Sequence, residues 1–86
     1  MTSTEITLSP PRQLRVAGIT VGTLWIGSDA SEPQAGVGVF NPETKQAETH
    51  RVRVGDSLTI AGRTVHVDGI TVGDGAKVRL TVSWTD

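Results

Sequence analysis

Residues 76–84 read Ala-Lys-Val-Arg-Leu-Thr-Val-Ser-Trp, so apolar and polar side chains alternate without a break. A period of two is typical of a β-strand with one buried and one solvated face. The same alternation runs through the segments that precede it, whose apolar residues are Val52, Val54, Leu58, Ile60, Val65, Val67, Ile70 and Val72. The C-terminal half therefore predicts a meander of antiparallel strands.

Glycine-containing turns separate these segments, and the apolar pattern predicts how the strands pair. Opposite residues of a hairpin share a face, so the apolar sets of both strands must coincide. Three hairpins are expected: a loop at residues 55–57 that pairs Val52 with Ile60, a loop at Gly62-Arg63 that pairs Ile60 with Val65, and a loop at residues 73–75 that pairs Ile70 with Val78.

The alternation changes phase once in this half, between Val67 and Ile70. An extra residue in a strand is a β-bulge, which predicts a bend at Asp68-Gly69. Residues 15–22 match residues 66–73 at six of eight positions, and this predicts a second bulge at Ala17-Gly18. The match fits two bent strands that converged on one solution. The alternative is an internal duplication, or two equivalent strands that close one barrel.

Composition extends the β prediction to the whole chain of 86 residues. Val and Thr are the commonest residues and suit strands, while ten Gly and four Pro lie between the apolar runs as turn residues do. No window has the apolar spacing of a helix. We expect one all-β domain at residues 12–86, a small antiparallel β-barrel or sandwich with bent strands, after a short N-terminal tail at residues 1–11.

Several classes of function are disfavoured by composition. The net charge of −1 gives no strong attraction to polyanions or acidic membranes, and the absence of Cys excludes disulfides and thiolate sites. No apolar run is long enough for a transmembrane helix, and no signal peptide is visible. We therefore expect a cytoplasmic protein without a membrane partner.

Catalytic, metal and cofactor sites are not expected either. None of the common nucleotide-binding, hydrolase or metal-ligand spacings is present. His50 and His66 fall on opposite faces of the expected meander, and no Ser–His–Asp constellation can be placed. An enzyme is therefore the less favoured class, and no cofactor is predicted.

Four residues on the polar side of the meander form a candidate anion-binding set. The expected pairing places Arg53, Thr59 and His66 in one row across three neighbouring strands. The candidate set consists of Arg51, Arg53, Arg63 and His66. No aromatic residue is expected on this face, so base stacking is not predicted and nucleic acid is not the favoured partner. The alternative is a solvated face that keeps the sheet soluble.

Trp25 and Phe40 are out of phase with the apolar residues beside them. Such aromatic side chains either pack under a loop or form an exposed interaction patch for a partner. A pocket around Trp25, Phe40 and His50 at a barrel mouth is a further alternative.

The stretch Val52-Arg-Val-Gly-Asp-Ser-Leu-Thr-Ile-Ala-Gly, with the Val67-Asp-Gly-Ile70 and Val78-Arg-Leu80 segments after it, resembles the meander of small all-β modules. Some of these are periplasmic domains of pilus and secretion machinery, and others are short uncharacterised actinobacterial proteins. The resemblance implies a small β-barrel or sandwich and assigns no functional residue.

The favoured hypothesis is a small non-enzymatic binding or protein-interaction module, which we expect to self-associate as a homo-oligomer or to bind another protein. Two alternatives stay open. One is an anion- or nucleic-acid-binding barrel that uses the basic face, and the other is a small-ligand-binding barrel or minor enzyme.

Overall fold

The computed structural model describes residues 1–85, which form eight strands and no helix. Within these residues, no segment is a helix long and apolar enough to cross a membrane. The strands are β1 (Thr2–Leu8), β2 (Gln13–Val16), β3 (Ile19–Ile26), β4 (Gln34–Asn41), β5 (Gln46–Arg53), β6 (Ser57–Ile60), β7 (Arg63–Thr71) and β8 (Lys77–Trp84).

The strands form two antiparallel four-stranded sheets that pack face to face. Sheet I has the order β1-β8-β7-β6, and sheet II has the order β2-β3-β4-β5. The all-β prediction is confirmed, and the architecture is an open sandwich rather than a closed barrel. The core consists of the inward-facing residues of both sheets: Ile6, Leu8, Ile60, Val65, Val67, Val78, Leu80 and Val82 from sheet I, and Ile19, Val21, Ala35, Val37, Val39 and Val52 from sheet II.

The last expected hairpin is confirmed, because Ile70 lies opposite Val78. The middle hairpin exists with a different turn: Ile60 pairs with Arg63 rather than with Val65. Its two turn residues are Ala61 and Gly62, with φ of 50° and 77°. Positive φ at both positions is the geometry of a type I′ turn, which matches the natural twist of a hairpin.

The first expected hairpin, across residues 55–57, is wrong. β5 belongs to sheet II and β6 to sheet I, so the segment between them crosses from one sheet to the other. The Gly55 N–H donates to the Val67 carbonyl at 2.9 Å, and the Val67 N–H donates to the Asp56 carbonyl at 2.8 Å. The crossing segment therefore hydrogen-bonds to β7 instead of turning β5 back on itself.

Of the two expected bulges, one is confirmed. The register of β7 on β8 shifts between Val67 and Gly69, which makes Asp68 the extra residue. Ala17 and Gly18 are instead a two-residue turn, with φ of 51° and 81°, between β2 and β3. A two-residue turn pairs even-numbered with odd-numbered residues, so it shifts the phase of the pattern as a bulge does.

The expected N-terminal tail at residues 1–11 is also wrong for most of its length. Residues 2–8 form β1, which pairs with β8 along its whole length as an edge strand of sheet I. Ile6 and Leu8 point into the core. Apolar Ile6 and Leu8 alternate with polar Glu5 and Thr7, and this alternation was the sequence signal for the strand.

The strand sets β1–β4 and β5–β8 have the same construction at a displacement of 44 residues. The β2–β3 hairpin pairs Gln13 with Gly22, and the β6–β7 hairpin pairs Ser57 with His66, each number 44 higher (57 − 13 and 66 − 22). In both halves the first strand pairs with the fourth strand of the other half, β1 with β8 and β5 with β4.

The bulges follow the same rule, because the extra residue is Leu24 in β3 and Asp68 in β7. For β4 and β8 the displacement is 43, since Thr23 pairs with Val37 and Val67 with Leu80. The match of residues 15–22 to 66–73 therefore aligned a turn with a bulge, and the structurally equivalent residues lie at a different displacement. These equivalences allow the two sheets to be compared position by position.

Candidate functional site

The structure separates the four residues of the predicted anion-binding set. Arg51 and Arg53 lie on the outer face of sheet II, whereas His66 lies on the outer face of sheet I and Arg63 begins β7 beside a turn. The expected row of Arg53, Thr59 and His66 is wrong, because β5 is not a neighbour of β6.

Arg63 connects the first hairpin turns of the two sheets. Its Nε–H donates to the Ala17 carbonyl at 2.8 Å, and its Nη1 donates to the Ala61 carbonyl. The guanidinium donates to backbone carbonyls of both halves, so Arg63 links the two turns by hydrogen bonds.

His66 belongs to a polar network on the outer face of sheet I. Its Nδ1 is 2.8 Å from the Ser57 Oγ, and its Nε2 is 3.9 Å from a carboxylate oxygen of Asp68. The Thr81 hydroxyl donates to the other oxygen of that carboxylate. A Ser–His–Asp group therefore exists although the sequence did not place one. Its carboxylate is beyond hydrogen-bond distance of the ring and the side chains lie on an open sheet face, so the arrangement is a cross-strand polar network.

His50 lies on β5 with its Nε2 2.9 Å from a Glu48 carboxylate oxygen. Both residues pair with inward-facing residues of β4, which puts them on the opposite face from Trp25 and Phe40. Across residues 1–85, no three His, Cys, Asp or Glu side chains come together in a group that could hold a metal ion.

The outer face of sheet II carries an apolar cluster produced by the bulge at Leu24. Thr23 points into the core, and the bulge then leaves both Leu24 and Trp25 on the outer side, 46% and 38% exposed. Trp25 lies over Gly36, where a Cβ would collide with the indole, and Leu24 lies beside Gly38. The bulge explains why Trp25 is out of phase in the sequence.

Phe40 completes this cluster, with 36% of its surface exposed. A cleft of about 150 Å³ lies between Leu24 and Phe40, with Gly22 and Gly38 in its lining. Trp25 and Phe40 are therefore an exposed patch on one sheet face, and His50 does not line the cleft. We define the outer apolar face as Gly22, Leu24, Trp25, Gly36, Gly38 and Phe40.

Arginines surround the outer apolar face. The Arg51 guanidinium carbon is 5.5 Å from the centre of the Trp25 ring, within cation–π range. Arg53 is 3.4 Å from a Glu32 carboxylate oxygen, and Arg15 lies opposite Thr20 on the same side of the sheet. The strand positions of this face therefore carry three cations and no carboxylate.

A second cleft, of about 220 Å³, lies on the other side of Trp25, between Arg51 and the loop at residues 27–32. In this loop the Asp29 carboxylate accepts hydrogen bonds from the Ser31 hydroxyl at 2.6 Å and the Ser31 N–H at 2.9 Å. These bonds hold the pKa of Asp29 below its ordinary value, because they stabilise the charged form.

Residues 3–85 match the model of one protein family, described as a family of unknown function, DUF6406. The match covers nearly the whole chain, so the protein belongs to this family. No curated protein and no solved structure is significantly similar to the chain.

Proposed function

We propose that this DUF6406 protein is a small non-enzymatic protein-interaction module that binds its partner through the outer apolar face. One observation carries the proposal: the equivalent positions of sheet I, built by the same strand order and the same bulge, are polar or small. They are His66, Asp68, Gly69, Arg79, Thr81 and Ser83, in the order that corresponds to Gly22, Leu24, Trp25, Gly36, Gly38 and Phe40. The fold accepts polar residues at these places, so it does not require the exposed apolar cluster.

The chemistry of the face indicates the chemistry of the partner. Trp and Arg are the residue types that most often dominate binding energy at protein interfaces, and here Arg51 contacts Trp25. An apolar side chain fits the cleft between Leu24 and Phe40, and carboxylates on either side of it would meet Arg15 and Arg51. The partner is therefore a protein segment that has a bulky apolar residue flanked by acidic residues.

Selection of a displayed random-peptide library on the purified protein tests the proposal. We expect enrichment of peptides with one bulky apolar residue among Asp and Glu. A synthetic peptide of the enriched sequence should lose about tenfold or more in affinity for Trp25→Ala, because a central aromatic anchor is removed. The matched control is His66→Ala on the outer face of sheet I, which should leave the affinity unchanged. Equal binding by wild type and Trp25→Ala, or no enrichment, would refute the proposal.

A second candidate function is binding of single-stranded nucleic acid. The observation that favours it is the position of Arg51 and Arg53 on the same face as Trp25 and Phe40, which the sequence pattern did not predict. Aromatic side chains beside cations are the elements of a base-stacking platform. Binding to short single-stranded DNA or RNA that survives physiological salt, and is lost in the Arg51→Ala plus Arg53→Ala variant, would place this candidate first.

A cytoplasmic location remains part of the proposal, and the absence of Cys supports it. The similarity to short actinobacterial proteins likewise stays a prediction.

A further inference from the structure

β5 is a long edge strand, and no other strand within residues 1–85 pairs with its outer side. It has eight residues and pairs with β4; of the other edge strands, β1 has seven residues, and β2 and β6 have four each. It contains neither Pro nor a bulge, which are two of the features that block an edge. Such an edge offers unpaired backbone groups to another strand.

The backbone of β5 shows which groups face the open edge. At its C-terminal end the Arg53 N–H donates to the Asp56 carboxylate at 2.8 Å, and the Arg53 carbonyl accepts from the Asp56 N–H at 3.1 Å. Backbone groups alternate along a strand, so Ala47, Thr49 and Arg51 present their N–H and C=O groups on this same side. Asp56 occupies the edge at Arg53, and three residues remain available.

Two inward-facing side chains of β5 are ionisable where those of the equivalent strand are not. Glu48 and His50 correspond to Thr4 and Ile6 of β1, and Ile6 is buried in the core. The fold therefore does not require an acid and a histidine at these two places. Glu48 and His50 already contact each other within one copy, and an apolar strand that docked on this edge would cover both groups without offering either a further polar partner, which opposes association with unrelated strands.

We propose that a second copy of this chain pairs with β5 through a two-fold axis at Thr49, normal to the sheet. Such an axis keeps inward-facing residues together, so Thr49 pairs with Thr49 and Ala47 pairs with Arg51. All three available residues then exchange backbone hydrogen bonds with the partner strand. Glu48 lies opposite His50 twice, at non-hydrogen-bonded positions, where opposite side chains are closest.

Neighbouring registers lack this complementarity. An axis at Glu48 places two carboxylates opposite each other, and like charges directly opposite destabilise a sheet. An axis at His50 places Glu48 against Val52 and directs Ala47 to Arg53, whose backbone groups already bond to Asp56. Only the Thr49 axis places the acid Glu48 opposite His50 and provides backbone partners for all three residues. The result is one continuous eight-stranded sheet, joined at an edge that lies beside the outer apolar face, because Ala47 and Thr49 also line the cleft next to Phe40.

Molar mass measured by sedimentation equilibrium from micromolar to millimolar concentration tests the inference. We expect the wild type to approach twice its 9.1 kDa mass. Glu48→Lys should raise the dissociation constant about tenfold or more, because a cation then faces His50. The exchanged variant, Glu48→His plus His50→Glu, again places an acid opposite a histidine and should dimerise again. Glu5→Lys on β1, at the position equivalent to Thr49, is the control and should behave as the wild type does.

Amide hydrogen exchange gives a second measurement that does not depend on the variants. Amide protection at Ala47, Thr49 and Arg51 should rise with protein concentration. A wild type that stays at 9.1 kDa at millimolar concentration would overturn the inference. An exchanged variant that remains monomeric, or unchanged protection of these three amides, would do the same. Loss of the dimer in Trp25→Ala alone would assign it to the outer apolar face. Peptide binding reports separately on that face, so the two proposals can fail independently.

Discussion

Replacing Thr23 by Val should stabilise the protein. Thr23 is 0% exposed, and its hydroxyl has no hydrogen-bond partner among the described residues. A buried hydroxyl without a partner costs about 1–3 kcal/mol by mutational data. Val has the same shape with a methyl group in place of the hydroxyl. The equivalent residue of sheet I is Val67, which is also 0% exposed, so the fold accepts Val at this position.

We expect the free energy of unfolding to rise by about 1–2 kcal/mol in Thr23→Val, which corresponds to an increase in Tm of roughly 4–16 °C for a domain of this size. Urea denaturation followed by fluorescence or circular dichroism measures the change, with an unaltered m-value as the sign that only stability has moved.

Two variants make this test sharper. Val67→Thr inserts a hydroxyl at the equivalent place and should destabilise the protein by about 1–3 kcal/mol. Thr23→Ser keeps the hydroxyl but deletes a buried methyl group, and it should destabilise by about 1 kcal/mol. If Thr23→Val were neutral or destabilising while Val67→Thr behaved as expected, the Thr23 hydroxyl would have to be hydrogen-bonded, and the reasoning would be wrong.

Three further predictions concern the turns, the loop and the outer face. Arg63→Met removes the hydrogen bonds between the two turns and should lower the free energy of unfolding by about 1–2 kcal/mol in urea denaturation. A free energy of unfolding equal to that of the wild type within error would show that this link does not stabilise the protein. Ser31→Ala should raise the pKa of Asp29 in an NMR titration, and because the folded-state pKa is lowered, the associated stability is present at neutral pH and lost as the pH falls through that value. Gly36→Ala should destabilise the protein by about 1 kcal/mol or more and alter Trp25 fluorescence, since the indole must move; an unchanged spectrum and stability would show that the ring does not lie there.

The sequence predicted which face of each strand is buried better than it predicted which strands pair. Alternation identifies which side of a strand is buried, and it correctly assigned Val78, Leu80 and Val82 to the core. It does not specify which strand lies alongside. The turn after β5 therefore looked like a hairpin, although Gly55 bonds to Val67 across the sandwich. A phase change is similarly ambiguous, because a bulge and a two-residue turn produce the same pattern.

The candidate site was predicted in part, for the same reason. Trp25 and Phe40 stand out in the sequence because they are out of phase with the apolar residues beside them. Their position beside Arg51 depends on how β3, β4 and β5 pair, and the glycines of β4 prevent this pairing from being predicted. Gly36 and Gly38 have no side chain to reveal a face. The sequence did contain a signal for this cluster, namely adjacent Leu24 and Trp25 followed by a glycine-rich strand. Two adjacent large side chains lie on one face of a strand only if a bulge separates them, and the neighbouring strand must then leave space for them.

The glycines also bear on why the two halves differ. Glycine inside a strand destabilises by roughly 0.5–1 kcal/mol relative to alanine, so Gly22, Gly36 and Gly38 together weaken sheet II by an amount that matters to a small domain. Gly36 is needed to accommodate Trp25, but Gly38 has only an ordinary 3.8 Å approach to Leu24 and would accept a Cβ. Packing alone therefore does not explain Gly38. Gly38 leaves the cleft beside Phe40 open at some loss of stability, and under the proposed function this opening receives a side chain from the partner.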